Sequence, residues 1–408
     1  MMLTKGMIFI HKSTFWIGLD DTDSLAGGCT TSTLYDLLQS LGETVLVLNV
    51  RLVRLWPFAP RRTRGNAAVC AQVEVDNITQ FIDDINVFWE QNILPLQGSV
   101  QDSHHSPRMQ HPADPGLVIF TEQPPEELYF KGVRQEVRLD ELPNGVLSLG
   151  GHGRIGATCA VAWRAKVSSW EAIAYREPRA KGQRMICLDT LRSISNHSEI
   201  FLAIHSKNNH QLVAPKGKSP VLFGIRGTNS KSVEHACLQL INAENTEKSR
   251  GHLIFETNQA TNDHIDSSRK FLIQSIHLEK GHVNLISDCH QEIRIHHESG
   301  KMNRFAKQLV EGDVIVVRGL NDMSNVLHVE NMKISHLVPR KNGRPKCTTC
   351  DRTMKSMGKG QGIRCPICKQ KQADDYTTFT PPIPLDVWME PPDDQRRHLS
   401  KPLNLSLD

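Results

Sequence analysis

The sequence lacks any apolar run long enough to cross a bilayer. Its apolar runs, such as residues 45–48, fall far short of the about 20 apolar residues that a membrane-spanning helix needs. The first residues contain no apolar stretch that ends in small residues, so no secretory signal is recognised. We therefore expect a cytoplasmic protein with no membrane partner.

Cysteine is also too sparse for a disulfide-stabilised protein, with 10 residues in a chain of 408. This length predicts two to four domains. The net charge of +4 is mildly basic and excludes no class of partner. Six of the cysteines are isolated, which is typical of reduced thiols in a cytosol: they are Cys29, Cys70, Cys159, Cys187, Cys237 and Cys289.

The other four cysteines form two Cys-x-x-Cys pairs that are separated by fourteen residues. This spacing predicts a structural zinc site on two knuckles of a ribbon. Free thiols or a redox dithiol are the alternatives, and the presence of two pairs argues against both. The ligands would be Cys347, Cys350, Cys365 and Cys368.

Basic residues surround these cysteines and form either a solvated face or a phosphate-contacting surface. We expect the second, because the strands before them outline a single-strand nucleic-acid platform. The candidate contacts are Arg352, Lys355, Arg364 and Lys369.

An acidic loop follows the first predicted strand, residues 15–19. Asp20, Asp21 and Asp23 place three carboxylates within four residues, and these repel one another unless cations neutralise them. Mg²⁺ held by Asp20 and Asp21, with phosphate oxygens completing its octahedron, is the natural solution.

A glycine–threonine segment comes next, just before a predicted helix. Gly27, Gly28, Thr30 and Thr31 would present backbone N–H groups and a helix N-terminus to a phosphate. The alternative is an exposed loop in which a threonine simply caps the helix. The segment is neither a Walker motif nor a dinucleotide fingerprint.

Basic residues in the next strand and loop are candidates to supply cations to the same pocket. Arg51 and Arg54 have opposite parity in a strand, so only one of them is expected to face the pocket. The basic loop of residues 61–66 adds Arg64 and Asn66 as candidate phosphate ligands. The alternatives are a surface position for the arginines and a simple turn at Gly65-Asn66.

Hydrophobic periodicity predicts an α/β and α+β multidomain protein. Residues 1–168 contain predicted strands at 44–55, 67–75 and 117–120 and helices at 30–41 and 78–94. They end in a glycine-rich turn, 145–156, and a helix at 157–165. Residues 169–266 suit a small sandwich of the split βαβ type, that is, a ferredoxin-like domain.

The rest of the chain is predicted to form three further segments. Five short strands with a helix at 303–310 between the third and fourth outline an OB-fold in residues 267–340. The zinc ribbon follows in residues 341–380. We expect residues 381–408 to form a disordered polar tail.

Residues 16–24, Trp-Ile-Gly-Leu-Asp-Asp-Thr-Asp-Ser, resemble the opening of the archaeal 2-agmatinylcytidine synthetases of isoleucine tRNA, the TiaS family. Further motifs that resemble this family follow along the chain, so the resemblance covers nearly all of it. They lie at residues 27–31, 51–55, 63–67, 114–116, 173–176, 220–227 and 257–264.

The resemblance implies a kinase-like N-terminal domain over residues 1–168 and a defined reaction. In the family, ATP activates the C2 carbonyl of the cytidine at the first anticodon position of an isoleucine tRNA. The amine of agmatine then displaces the activated oxygen, ATP ends as AMP and phosphate, and the tRNA reads AUA codons. Thr30 matches the family threonine that takes up phosphate. Asp20, Asp21 and Asp23 would hold Mg²⁺, and Arg64 would stabilise the transferring group.

Two features depart from the family, and two other functions compete. The family turn Asn-x-Arg-Gly-x-Ile-Gly-Ala reads Gly-His-Gly-Arg-Ile-Gly-Ala here, residues 151–157, and no family role is assigned to the histidine-containing stretch 104–111. The alternatives are a non-catalytic tRNA- or single-strand-binding protein, and a related ATP-using tRNA enzyme with another amine. The carboxylate loop argues against the first.

Overall fold

The computed structural model describes residues 12–23, 27–62, 65–98, 111–204, 211–215, 218–341, 343–373 and 378–405. The chain divides into two compact units. Unit one comprises residues 1–266, 321–323 and 393–408, and unit two comprises residues 267–320 and 324–392. Within the described ranges, no helix has the length and apolar character that crossing a membrane requires.

Unit one is built on a nine-stranded sheet with helices on its faces. Its elements in chain order are β1 (Ser13–Asp20), α1 (Thr30–Leu41), β2 (Val45–Arg54), β3 (Ala67–Val75), α2 (Ile78–Phe88), β4 (Gly116–Phe120), α3 (Glu126–Arg134), β5 (Leu147–Gly150), α4 (Gly153–Ala162), β6 (Ser169–Arg176), α5 (Leu188–Ser195), β7 (Ile200–Phe201), β8 (Val221–Gly227), α6 (Ser230–Ile241) and β9 (Ser249–Thr257). The strand order across the sheet is β5-β4-β1-β3-β2-β9-β6-β8-β7.

The alternating side chains of β1 reach two separate cores. Phe15, Ile17 and Leu19 pack with the leucines of α1 and the apolar residues of α2. Trp16 lies on the opposite face, in the core that contains α3 and α4. Because residues two apart share a face of a strand, Asp20 continues the Trp16 side and meets α4.

The sheet runs through the predicted boundary at residue 168. Strands β2 and β9 pair in parallel, with Arg51 opposite Glu256. One core combines Leu52 with Ile173 and Phe255 from the following segment. Residues 1–168 and 169–266 therefore share one sheet and one core, and their division into two domains stays a prediction.

Two helices of unit one differ from their predicted spans. The helix predicted for residues 78–94 is α-helical only to Phe88, and a wider π-helical turn, Trp89–Ile93, follows it. The helix predicted for 157–165 is Gly153–Ala162, so the glycine-rich turn forms its first turn. Helices α3 and α5 were not predicted, because both are short and carry few apolar residues.

Unit two contains a closed five-strand barrel. Its elements are β10 (Arg269–Glu279), β11 (His282–Ser287), β12 (Glu292–Ile295), α7 (Lys301–Ala306), β13 (Val314–Asn321) and β14 (Leu327–His336), and the strands close in the order β10-β11-β12-β14-β13. The helix lies between the third and fourth strands as predicted, but it spans Lys301–Ala306 instead of 303–310.

The cysteine segment of unit two forms small sheets. Strand β15 (Arg340–Lys341) pairs with β19 (Thr378–Phe379), while β16 (Lys355–Ser356), β17 (Ile363–Arg364) and β18 (Lys371–Gln372) form a three-stranded sheet. Ile363 and Met354 are buried beside the cysteines.

The prediction of a disordered C-terminal tail is wrong for residues 381–405. Ile383 and Met389 belong to the core of unit two, and the N–H of Met389 donates to the carbonyl of Met332 at 2.8 Å. Leu399 is 4% exposed and joins the core of unit one. The segment is polar on average, but its few apolar residues anchor it.

Candidate active site

Unit one holds a cavity of about 940 Å³ whose lining includes a group of acidic residues and a group of basic residues, called here the acidic wall and the basic wall. Asp20, Asp21 and Asp23, which end or follow β1, form the acidic wall. Thr30 and Thr31, the first residues of α1, line the same cavity. Residues that sequence reasoning assigned to metal and to phosphate therefore share one space.

Burial controls the electrostatics of the acidic wall. The pKa of Asp20 lies well above its ordinary value because the side chain is buried, and the charges of Asp21 and Asp23 raise it further. Burial raises the pKa of Asp21 to about 7, although the N–H of Asp114 donates to its Oδ2 at 2.8 Å. Buried carboxylates in mutual repulsion suit a divalent cation, which would favour their charged forms.

The glycine-rich turn packs directly against Asp20. A Cβ atom on Gly156 would lie 1.8 Å from Asp20 Oδ2, and one on Gly153 would lie 2.5 Å from the Asp20 carbonyl oxygen. Only hydrogen fits at these positions, so α4 begins with its N-terminus against the carboxylate. The positive end of a helix favours a negative charge there. The altered turn of residues 151–157 thus supports the acidic wall.

Asp114 connects this turn to the acidic wall. Its Oδ2 accepts a hydrogen bond from the N–H of His152 at 2.8 Å, and its own N–H donates to Asp21. Arg61 Nη1 lies 3.6 Å from the same Asp114 oxygen. Asp114 therefore fixes the backbone that presents Asp21 and draws a basic side chain toward the site.

The start of α1 is defined by the backbone conformation of the residues before it and by a hydrogen bond from Tyr175. Cys29 is its N-cap and makes no side-chain capping hydrogen bond, so no threonine caps this helix. The hydroxyl of Tyr175 donates to the carbonyl of Thr31 at 3.0 Å. The preceding glycines, Gly27 and Gly28, have φ values of 155° and 79°, which L-residues with side chains rarely adopt.

Arg54, Arg226 and His398 form the basic wall of the cavity. Arg226 Nε lies 3.3 Å from Glu171 Oε1. The pKa of Arg54 is lowered by burial. The pKa of His398 lies well below its ordinary value because of the Arg54 charge, its burial and the Arg226 charge, which keeps the imidazole neutral.

The other candidate phosphate ligands and cations from the sequence do not all line this cavity. Arg51 lies away from it and is ion-paired with Glu256 at 2.9 Å, so Arg54 is the arginine of this strand that faces the cavity. Asn66 lines the cavity, yet its side-chain amide donates to the Trp56 carbonyl at 2.7 Å. Arg64 lies outside the described residues, as does most of the stretch 104–111.

The four predicted zinc ligands converge in unit two. The sulfur atoms of Cys347, Cys350, Cys365 and Cys368 all lie within 4.8 Å of one another. The two pairs have the same backbone geometry: Cys347 N–H donates to the Arg352 carbonyl and Cys365 N–H donates to the Gln370 carbonyl, both at 2.9 Å. Four thiolates in this arrangement fit a structural zinc ion with no open position.

The basic residues of the ribbon are exposed. Lys355 and Arg364 face each other across β16 and β17, and Lys369 Nζ donates to the Pro366 carbonyl at 2.7 Å. Arg352 is likewise exposed. These side chains are accessible to solvent, and their contact with a phosphate backbone stays a prediction.

Another group of metal-ligand residue types occurs on the barrel. Ligand atoms of His282, His296 and Glu298 lie within 4.8 Å of one another. However, His282 Nδ1 accepts the N–H of His297 at 3.0 Å, so the neutral ring carries its proton on Nε2. His296 Nε2 also lies 2.7 Å from His328 Nδ1. These contacts account for one ring nitrogen of His282 and one of His296.

Sequence reasoning missed several residues of the cavity. Glu171 and Arg226 lie on β6 and β8, where the apolar pattern of a strand was the only signal. Asp114 belonged to a family-like motif but had no assigned role. His398 carried no signal, because it comes from a segment that was expected to be disordered.

The fold and these sites define a multidomain α/β protein with a charged cavity and a C-terminal zinc ribbon. Family models describe the chain in three parts: the TiaS TCKD domain matches residues 16–153, the TiaS FLD domain matches residues 151–264, and the TiaS C-terminal zinc ribbon domain matches residues 344–381. The chain belongs to the TiaS family.

Individual relatives match almost the entire chain. A protein of Pyrococcus horikoshii, named as the 2-agmatinylcytidine synthetase TiaS of an isoleucine tRNA, is 31% identical and covers 95% of this chain and 96% of its own. The crystal structure of a TiaS complex with isoleucine tRNA and ATP has a TM-score of 0.78 at 25% identity, covering 97% of this chain and 98% of that one. An apo TiaS, described as an agmatidine synthetase of the same tRNA, gives 0.72 at 26%, covering 97% and 99%.

Proposed function

We propose that this protein is an ATP-dependent ligase that joins agmatine to C2 of the wobble cytidine in the CAU-anticodon isoleucine tRNA. The observation that carries the proposal is the shared cavity of Asp20, Asp21, Asp23 and Thr30, the residues that match the family's phosphate chemistry. Relatives named for this synthesis align with 95% of the chain. A purely RNA-binding role is not favoured.

The chemistry requires activation of a poor leaving group. One phosphoryl group of ATP is transferred to the C2 oxygen and a second is released to water as phosphate, so that AMP remains. The C2 oxygen then leaves as phosphate when the agmatine amine attacks C2 and loses a proton. Positioning and charge neutralisation dominate such transfers. Asp20 and Asp21, with Asp23 beside them, would hold Mg²⁺, which supplies that neutralisation. Thr30, at the N-terminus of α1, would accept or orient a phosphoryl group.

The finer parts of the architecture belong to this proposal. Residues 1–168 would act as a kinase-like domain and 169–266 as a ferredoxin-like domain. The barrel of residues 267–340, with the strand order described above, would act as an OB-fold. The zinc ribbon would hold the tRNA through Arg352, Lys355, Arg364 and Lys369, while the target base leaves its stack to enter the cavity.

A single assay tests the proposed reaction. Purified protein is incubated with the isoleucine tRNA, ATP and agmatine, and the nucleosides of the digested tRNA are analysed by mass spectrometry. We expect cytidine to gain the mass of agmatine less one water, with AMP as a product. Omission of agmatine is the control. No gain with agmatine would contradict the proposal, and gain with a different amine alone would favour the related-enzyme alternative.

A further inference from the structure

The basic wall contains a guanidinium group with an unsatisfied hydrogen-bond donor. Arg54 Nε is shielded from solvent and has no hydrogen-bond partner among the described residues. Arg226, in contrast, is paired with Glu171. Leaving a buried charged donor unpaired is costly. The Glu171 carboxylate acts on both guanidinium groups. Two guanidinium charges against one carboxylate leave a net positive charge that an anionic ligand would satisfy.

His398 is fixed beside this guanidinium by the C-terminal segment. Its carbonyl accepts the N–H of Ala260 at 2.8 Å, and the carbonyl of Leu399 accepts the N–H of Asn262 at 2.9 Å. The N–H of Lys401 donates to Asn262 Oδ1 at 2.7 Å. Three hydrogen bonds and a buried leucine thus hold the imidazole in the cavity wall, and the segment is a built part of the site.

The backbone at Gly65 lies close to the side chains of both Arg54 and His398. A Cβ atom on Gly65 would lie 2.7 Å from Arg54 Nη1 and 3.8 Å from His398 Nε2. Both side chains therefore end against one point of the backbone at the cavity. Cys29 lies within electrostatic range of Arg54, so the N-terminus of α1 is near the same guanidinium.

The chemistry of this arrangement selects a phosphate group. A guanidinium offers two parallel N–H donors that match phosphate oxygens. A neutral imidazole adds a donor without a second full charge. The acidic wall repels anions, which directs them to the basic wall. A cationic ligand such as an amine would instead be repelled by Arg54 and Arg226.

We propose that Arg54, Arg226 and His398 form a phosphate subsite, and that the C-terminal segment is part of the site because it supplies His398. The inference rests on the proposed function and deepens it: the group held is a phosphate of the nucleotide's polyphosphate chain, next to Thr30. A phosphate of the target nucleotide has the same chemistry, and separate titrations with pyrophosphate and with cytidine 5′-monophosphate distinguish the two.

Calorimetric titration of the full chain with inorganic pyrophosphate tests the subsite. EDTA in the buffer removes any contribution of metal bound at the acidic wall. We expect Arg54→Met and His398→Ala each to weaken pyrophosphate binding by about tenfold or more, the effect of losing a charge-assisted hydrogen bond. Arg54→Lys should recover part of the loss. His235→Ala, which changes an exposed histidine of α6, is the matched control and should bind normally.

Folding is measured separately by thermal unfolding. Arg54→Met should unfold at or above the temperature of the unchanged protein, because it removes a buried guanidinium whose Nε donor has no partner among the described residues. A folded Arg54→Met that binds pyrophosphate normally overturns the inference. A parallel titration with cytidine 5′-monophosphate tests the other source of phosphate. If the variants lose binding of this nucleotide and keep binding of pyrophosphate, the subsite belongs to the target nucleotide and the inference is overturned. Pyrophosphate binding needs no tRNA or agmatine, so this test of the subsite is independent of ligation.

Discussion

At the residue scale, Asp21 combines backbone conformation, burial and charge in one position. Its φ is 58°, a left-handed conformation that aspartate and asparagine tolerate better than most residues. The N–H of Asp114 stabilises this turn from outside. The sequence predicted the carboxylate cluster from three acidic residues in four. It did not predict Asp114 as their partner, because 93 residues separate the two.

Asp21→Asn is expected to abolish most ATP consumption while tRNA binding stays unchanged. Asparagine tolerates the left-handed backbone, and its amide oxygen still accepts the Asp114 N–H, so the turn survives while the charge is lost. We expect AMP formation to fall by about a hundredfold or more, the scale of removing an electrostatic contact to a transferring group. AMP release and filter binding of tRNA measure the two effects.

The exposed carboxylate of Asp76 provides the matched control for this experiment. Asp76→Asn removes the same charge outside the cavity and should leave both measurements unchanged. An equal loss of ATP consumption and tRNA binding in Asp21→Asn would contradict a local role in phosphoryl chemistry.

At the element scale, helices were predicted well where apolar periodicity was strong. Helix α1 has its predicted span, Thr30–Leu41, because Leu34, Leu37 and Leu41 form a buried face. Helix α4 was predicted to start four residues late. Its glycines suggested a loop, but their role is close packing against Asp20, and that requirement depends on a strand far away in sequence.

Gly156→Ala tests whether α4 must approach Asp20 this closely. Alanine favours helix by about 1 kcal/mol over glycine, yet its Cβ would lie 1.8 Å from Asp20 Oδ2. The carboxylate or the helix must then move. We expect little change in thermal stability and a loss of ATP turnover of about a hundredfold, since displacements of about 1 Å have such effects. Gly343→Ala has open space around its Cβ and is the control; normal turnover by Gly156→Ala would show that the contact is dispensable.

At the scale of the whole molecule, the chain contributes distant segments to one cavity. The acidic wall comes from the first strand, whereas His398 lies near the C-terminus. The sequence predicted the barrel strands and the zinc ligands, which are local patterns. It could not predict the path of residues 393–405, because a polar segment with few apolar anchors gives no local signal of where it packs.

The two units have separate cores, so loss of the zinc ribbon is expected to affect RNA binding selectively. The cysteine cluster packs with Met354 and Ile363 of unit two, whereas the cavity belongs to unit one. Cys347→Ser removes a zinc ligand and should unfold the ribbon, because such sites fold with their metal. We expect tRNA affinity to fall by about tenfold or more, as several phosphate contacts are lost, while ATP binding is unchanged. Cys289→Ser, an exposed thiol outside the cluster, should retain both activities. A parallel loss of ATP binding in Cys347→Ser would mean that the ribbon supports the cavity as well as the RNA.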